Sequence, residues 1–120
     1  MKRSLLLSAT CALLLAGCGG GEEAQVTVHQ APVFLRGDPA PFEIRLAQGD
    51  EPLTDYQVTA TFTMEKMDHG EMIYELTERG EGIYGAPVAV PMQGEWVIDI
   101  DAEKDGRTID RTLTADVRGG

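Results

Sequence analysis

The chain has 120 residues, of which 20 are acidic and 10 are basic, so its formal net charge is −10. This length provides one hydrophobic core, or one core and a tail, and excludes two independent domains. The negative charge argues against nucleic acid as a partner, because an acidic surface repels phosphate groups. The hydrophobic fraction of 42% is typical of a globular domain and not of a disordered chain.

The N-terminus has the pattern of a secretory signal peptide. Lys2 and Arg3 precede an apolar run that is too short to cross a membrane as a helix. The run ends in Leu15-Ala16-Gly17-Cys18, which resembles a bacterial lipobox, the signal for cleavage before the cysteine and for its lipidation. We therefore predict a signal peptide over residues 1–17, a lipidated Cys18 and a flexible tether over residues 18–24. The lipid would anchor the protein to a membrane of the bacterial cell envelope.

The remaining sequence alternates between apolar and polar residues, and turn residues interrupt the alternation about every ten positions. No segment shows sustained helical periodicity. The pattern predicts an all-β, immunoglobulin-like antiparallel sandwich over residues 25–118. Its seven strands, A to G in chain order, are marked by Val26 and Val28 with an extension to Val33 and Leu35, Phe42 to Leu46, Val58 to Met64, Met72 to Leu76, Tyr84 to Val90, Trp96 to Ile100, and Ile109 to Val117.

Antiparallel strands would bring distant connections together. Strand C would end at the pole where strand D begins, and the connection from strand E to strand F would return to the same pole. We therefore expect residues 64–72, 91–94 and 36–40 to be neighbours. The dipeptide Asp105-Gly106 is a strong hairpin signal and belongs to the opposite pole.

Methionines are concentrated at this predicted pole. Met64, Met67 and Met72 fall within nine residues that also include His69, and Met92 lies in the connection from E to F. Thioether sulfur and imidazole nitrogen are ligands that suit Cu(I), so these five residues form a candidate copper site. The same residues also allow an interpretation without a metal. Met64, Met72 and Met92 have the strand parity of core residues and would then act as gap fillers at the end of the core.

Other candidate sites are weaker. A sequence similar to the start of a calcium loop is formed by Asp99, Asp101, Glu103 and Asp105-Gly106. The twelfth position counted from Asp101 is Thr112 and not the glutamate of an EF-hand, so Asp99 and Asp101 are better interpreted as the solvated face of strand F. His29 is expected to be a surface or packed residue, and it would be a fourth ligand only if strand A passes the same pole. We expect no enzyme, because the chain has no Ser after the predicted signal peptide and its remaining Cys would be acylated.

From strand B to strand G the sequence resembles the YtkA-like/FixH-like family. The resemblance rests on Met67-Asp68-His69-Gly70, Gly82-Ile83-Tyr84 and Met92-Gln93-Gly94-Glu95-Trp96-Val97, and it extends over roughly residues 25–117. It implies an immunoglobulin-like fold, an envelope location, and an association with copper handling and cytochrome oxidase maturation. FixH proteins have a transmembrane helix, whereas this chain has a lipobox, which favours the YtkA-like lipoprotein branch.

Two functions are therefore expected from the sequence. The first is Cu(I) delivery or buffering in the cell envelope, with a respiratory oxidase subunit or another copper protein as the partner. The second is a metal-free immunoglobulin-like module, tethered to the membrane, that binds a protein or has a structural role.

Overall fold

The computed structural model describes residues 23–64 and 70–120, and within them the chain forms strands and no helix. The predicted signal peptide, Cys18, Met67 and His69 lie outside the described residues. The strands in chain order are β1 Ala24–Gln30, β2 Ala40–Gln48, β3 Glu51–Pro52, β4 Gln57–Met64, β5 Met72–Gly80, β6 Ile83–Val88, β7 Gly94–Lys104 and β8 Arg107–Val117.

These strands form one antiparallel sheet that folds into two layers, with the order β8-β7-β4-β5-β6-β2-β1 and with β3 paired to β2. The change of layer occurs within β5. Residues 72–76 of β5 pair with β4, and residues 77–80 pair with β6. The first layer therefore contains β8, β7, β4 and the start of β5, and the second layer contains the end of β5, β6, β2, β3 and β1. The predicted all-β sandwich is confirmed.

The core lies between the two layers and is built from alternate residues of each strand. Phe42 of β2 and Phe62 of β4 are fully buried, and their rings meet edge to face with centroids 5.3 Å apart. Edge-to-face packing is a preferred aromatic geometry and joins the two layers at the centre. Among the described residues, no polar or charged residue is buried, apart from the tyrosines and the tryptophan.

The first strand ends earlier than predicted. β1 stops at Gln30, and the expected extension through Val33 and Leu35 does not join it. Pro32 has no N–H and restricts the residue before it, so it ends the ladder with β2. Phe34 pairs in parallel with Gly119 instead. The predicted hairpin at Asp105-Gly106 does join β7 to β8, and both residues have positive φ angles, as a type I′ turn requires.

Candidate functional site

One end of the sandwich, which we call the methionine pole, carries the three methionines that the structure describes. Strand register brings them there. Met64 is opposite Trp96, at the end of β4, and Met72 is opposite Phe62, at the start of β5. Met92 lies in the connection from β6 to β7. This arrangement agrees with the topology expected from the sequence.

Met64 occupies space that a glycine leaves open. Its terminal methyl carbon lies 2.6 Å from the point where a Cβ atom on Gly94 would be, and Gly94 has a φ angle of +133°. Only glycine combines this backbone angle with the absence of a side chain. The thioether of Met64 therefore lies against the bare backbone at the start of β7.

A hydrogen bond from Trp96 holds the connection that carries Met92. The indole Nε1–H donates to the carbonyl oxygen of Met92 at 3.1 Å, and Trp96 is only 1% exposed. A buried indole needs such a partner, so this bond both satisfies Trp96 and fixes the backbone of Met92. The side chain of Met92 remains partly buried against the core.

A second bond holds the same connection from the side of β5. The backbone N–H of Ala89 donates to the hydroxyl of Tyr74 at 3.2 Å, and the Tyr74 ring packs edge to face on Phe62 with centroids 5.7 Å apart. Tyr74 is two residues after Met72, on the same side of β5. Neither this bond nor that of Trp96 could be predicted from strand periodicity.

The connection from β1 to β2 also reaches the methionine pole. The N–H of Phe34 donates to the carbonyl of Arg118 at 2.7 Å, and the N–H of Gly120 donates to the carbonyl of Phe34 at 3.1 Å. Ala40, the first residue of β2, pairs with Val88, the last residue of β6. The end of this connection at Ala40 therefore lies at the predicted pole, beside the last residue of β6.

The described methionines fit both interpretations made from the sequence. Met64, Met72 and Met92 are all partly buried and pack against the core, as gap fillers would. They also bring three thioether sulfurs to one pole, where the segment containing Met67 and His69 begins and ends. Across residues 23–64 and 70–120, no group of three or more His, Cys, Asp and Glu side chains could hold a metal ion.

The weaker candidates lie elsewhere. His29 is exposed on β1, with its Nε2 atom 3.8 Å from Glu43, on the outer face of the second layer and not at the methionine pole. Asp99 accepts a hydrogen bond from the Thr112 hydroxyl at 2.7 Å on the outer face of the first layer. A hydrogen bond with Asp110 raises the pKa of the neighbouring Asp101. These carboxylates form a solvated strand face.

Two solved structures resemble this chain at low sequence identity. An endo-β-1,4-mannanase from Thermotoga petrophila is 13% identical over 82% of this chain, with a TM-score of 0.48. An engineered protein is 15% identical over 87% of the chain, with a TM-score of 0.52. This chain spans only 20% and 21% of their respective lengths. The likeness to the engineered protein concerns the β fold alone.

The family assignment comes from the sequence itself. No curated protein matches the chain significantly. Among residues 23–64 and 70–120, no helix is long and apolar enough to cross a membrane. The YtkA-like family model matches residues 20–101, which include strands β1 to β6 and most of β7. The chain belongs to the YtkA-like family.

Proposed function

We propose that this protein is a lipid-anchored envelope protein that binds Cu(I) at the methionine pole and delivers or buffers copper. A respiratory oxidase subunit or another copper protein would be its partner. The observation that carries the proposal is the placement of Met64, Met72 and Met92 at the pole where the segment with Met67 and His69 begins and ends. Membership of the YtkA-like family supports it through the association with copper that the resemblance implies.

The chemistry of the donor set favours copper in its reduced state. Thioethers are neutral and soft, so they bind Cu(I) in preference to hard cations. They need no deprotonation, and they avoid the oxidation to disulfides that thiols undergo outside the cytoplasm. In the proposed site, Met67 and His69 supply the ligands with no evident core role. Met64, Met72 and Met92 supply additional sulfur from positions that the core already supports.

The proposed anchor would leave this pole accessible. Ala24, the first residue of β1, pairs with Gln48 at the end of the sandwich opposite the methionines. Cys18 precedes Glu23 by only five residues, and such a segment spans at most about 18 Å when fully extended. The lipid would therefore hold the opposite end of the domain towards the membrane, and the methionine pole would face a partner.

A second function is favoured by a specific observation. The three described methionines are packed against the core, which is the arrangement expected of a metal-free module whose methionines simply close the end of the sandwich. In that case the pole would offer an adaptable apolar contact surface to a protein partner.

A Cu(I) competition titration separates the two functions. The chain from Gly19 onward is compared with the Met67→Leu/His69→Ala variant, and His29→Ala serves as the matched control because His29 lies outside the pole. We expect stoichiometric binding by the wild type and by the control, and at least about a tenfold loss in the double variant, which corresponds to about 1.4 kcal/mol.

Two results would contradict the proposed copper site. Absence of saturable binding by the wild type would remove the copper proposal and leave the metal-free module. Equal affinity in the wild type and the double variant would show that copper binds elsewhere. Circular dichroism of each variant checks that the fold is unchanged.

A further inference from the structure

The sheet has two outer edges, and the two are built differently. β1 forms one edge and β8 forms the other, because they stand at the two ends of the strand order. β1 has seven residues, its register with β2 shifts between Val28 and Gln30, and Pro32 follows it. A bulge and a proline are devices that stop an edge strand from pairing with another chain. β8 has eleven residues, and its register with β7 has no shift from Arg107 to Val117. Only β8 therefore has the regular backbone of an edge that can pair.

Every second residue of β8 directs its backbone groups away from β7. The two-residue turn at Asp105-Gly106 makes the last residue of β7 and the first residue of β8 a hydrogen-bonded pair. Antiparallel bonding then alternates, so odd-numbered residues of β8 bond to β7 and even-numbered residues face the open edge. The bonds just beyond β8 have the same parity, because the Arg118 carbonyl accepts from Phe34 and the Gly120 N–H donates to Phe34. The residues with edge-facing groups are Thr108, Asp110, Thr112, Thr114 and Asp116.

These edge groups are accessible to another strand. Among the described residues, β8 pairs with no strand other than β7. A groove of about 700 Å³ lies between the edges of β1 and β8. The Arg111 side chain reaches across it and donates to the carbonyl oxygens of Ala24 at 2.9 Å and of Asp110 at 2.8 Å. A carbonyl oxygen has two lone pairs, so that of Asp110 can accept a second bond from another chain.

The charges of β8 suit a second copy of the same strand. β8 contains two arginines and two aspartates and is neutral, although the chain has a net charge of −10. Two copies therefore repel each other less at β8 than at the acidic parts of their surfaces. A symmetric dimer also needs a surface that is complementary to itself. When Thr112 lies opposite Thr112 of the second copy, every aspartate of β8 lies opposite a threonine and every arginine lies opposite an apolar residue.

Neighbouring registers place like charges opposite each other. An axis at Arg111 would bring two guanidinium groups together, and an axis at Asp110 would bring two carboxylates together. An axis at Leu113 would place Asp110 opposite Asp116. Like charges directly opposite each other destabilise an antiparallel pair, and an axis nearer either end of β8 pairs fewer residues. The charges therefore favour the register centred on Thr112.

We propose that two copies of this protein pair through β8, antiparallel and about a twofold axis at Thr112. Hydrogen bonds between the even-numbered residues join the two first layers into one continuous sheet. The contact is a single strand pair, so the association is weak and reversible. The two methionine poles lie at opposite ends of this dimer. The proposal does not depend on copper binding.

Sedimentation velocity of the chain from Gly19 onward tests the proposal, at protein concentrations from about 10 μM to about 1 mM. We expect a monomer–dimer equilibrium. Thr112→Pro removes an N–H that does not bond to β7, so the variant is expected to fold. It loses two hydrogen bonds of the dimer by symmetry and is expected to dimerise at least about tenfold more weakly. Circular dichroism checks its fold. A monomer at every concentration, or a dimer that Thr112→Pro leaves unchanged, would overturn the proposal.

Charge variants of Thr114 test the register, because Thr114 lies opposite Asp110 of the second copy twice by symmetry. Thr114→Lys is expected to strengthen the dimer about fivefold, and Thr114→Glu to weaken it about fivefold. Thr77 is exposed on β5, three strands from β8, so Thr77→Lys and Thr77→Glu are matched controls for net charge and are expected to dimerise like the wild type. Equal effects at the two positions would overturn the proposal, because only net charge would then matter. Assemblies larger than a dimer would also overturn it, because they require contact between two different edges.

Discussion

The two poles of the sandwich are closed by different chemistry. At the end opposite the methionines, which we call the turn pole, the fully buried Tyr84 makes two hydrogen bonds with the backbone. Its hydroxyl accepts from the N–H of Tyr56 at 3.1 Å and donates to the carbonyl of Leu53 at 2.9 Å. At the methionine pole, Trp96 and Tyr74 hold the backbone of the connection from β6 to β7 by hydrogen bonds. The thioether side chains of Met64 and Met92, in contrast, fill the end of the core by packing alone.

This difference makes the side chains that close the methionine pole more adaptable than those that close the turn pole. The hydrogen bonds of Tyr84 fix the orientation of its side chain and join it to residues that lie 28 and 31 positions earlier in the chain. A methionine has flexible torsions and a polarisable sulfur, so it can change rotamer while remaining in contact with the core. A ligand or partner can therefore be accommodated at the methionine pole with less disturbance than at the turn pole. The following substitutions test this comparison.

The largest loss of stability is expected from Gly82→Ala at the turn pole. Gly82 has a φ angle of +80°, and a Cβ atom there would lie 2.5 Å from the carbonyl oxygen of Leu46. The N–H of Leu46 also donates to the Gly82 carbonyl at 2.7 Å, so the two backbones cannot separate without losing that bond. We expect a loss of about 2–5 kcal/mol in the free energy of unfolding, measured with urea.

Gly106→Ala is the control for the backbone angle. Gly106 has a φ angle of +84° with nothing within 4 Å of its Cβ position, so this substitution tests the strained angle alone, at about 1–2 kcal/mol. Equal losses for Gly82→Ala and Gly106→Ala would show that the close contact with Leu46 is unimportant and that the turn pole is less rigid than we infer.

A smaller loss is expected from Tyr84→Phe. The substitution retains the ring and leaves the N–H of Tyr56 and the carbonyl of Leu53 without their buried partner, which costs about 1–3 kcal/mol. Tyr56→Phe is the matched control, because the hydroxyl of Tyr56 is buried without a recorded partner. Its removal is expected to change stability by less than about 0.5 kcal/mol or to increase it slightly. The reverse order of these two effects would contradict the assignment.

Unfolding at alkaline pH gives an independent measure of what the buried hydroxyl of Tyr84 contributes to stability. Burial raises the pKa of Tyr84 above the ordinary tyrosine value of 10.0. The unfolded chain therefore releases this proton first as the pH increases, and the stability that the neutral hydroxyl contributes is lost above pH 10. Between pH 9 and about pH 11, the wild type is expected to lose more stability than Tyr84→Phe. Parallel losses in the two proteins would show that Tyr84 is not the group responsible.

The sequence predicts the strands better than it predicts the contacts that hold their ends. Alternation of apolar residues is a local pattern, and it correctly places Phe42, Phe62 and Trp96 in the core. Antiparallel succession then predicts which connections share a pole. The hydrogen bonds of Tyr84 and the pairing of Phe34 with Gly119 join residues far apart in the chain, and no local pattern indicates them.

Gly94→Ala at the methionine pole is expected to cost less stability than Gly82→Ala at the turn pole. A Cβ atom there would meet the methyl end of Met64 and no backbone atom, so the side chain can move aside. We expect a loss of about 1–3 kcal/mol in the free energy of unfolding, mainly from the φ angle of +133°, which side chains disfavour. In a double-mutant cycle with Met64→Ala, a coupling energy under about 0.5 kcal/mol would show that Met64 adapts freely. Urea unfolding followed by the fluorescence of Trp96, the residue opposite Met64, measures each variant. A loss as large as that of Gly82→Ala, with strong coupling to Met64, would show that the methionine pole is as rigidly packed as the turn pole, and adaptability would no longer distinguish the two ends.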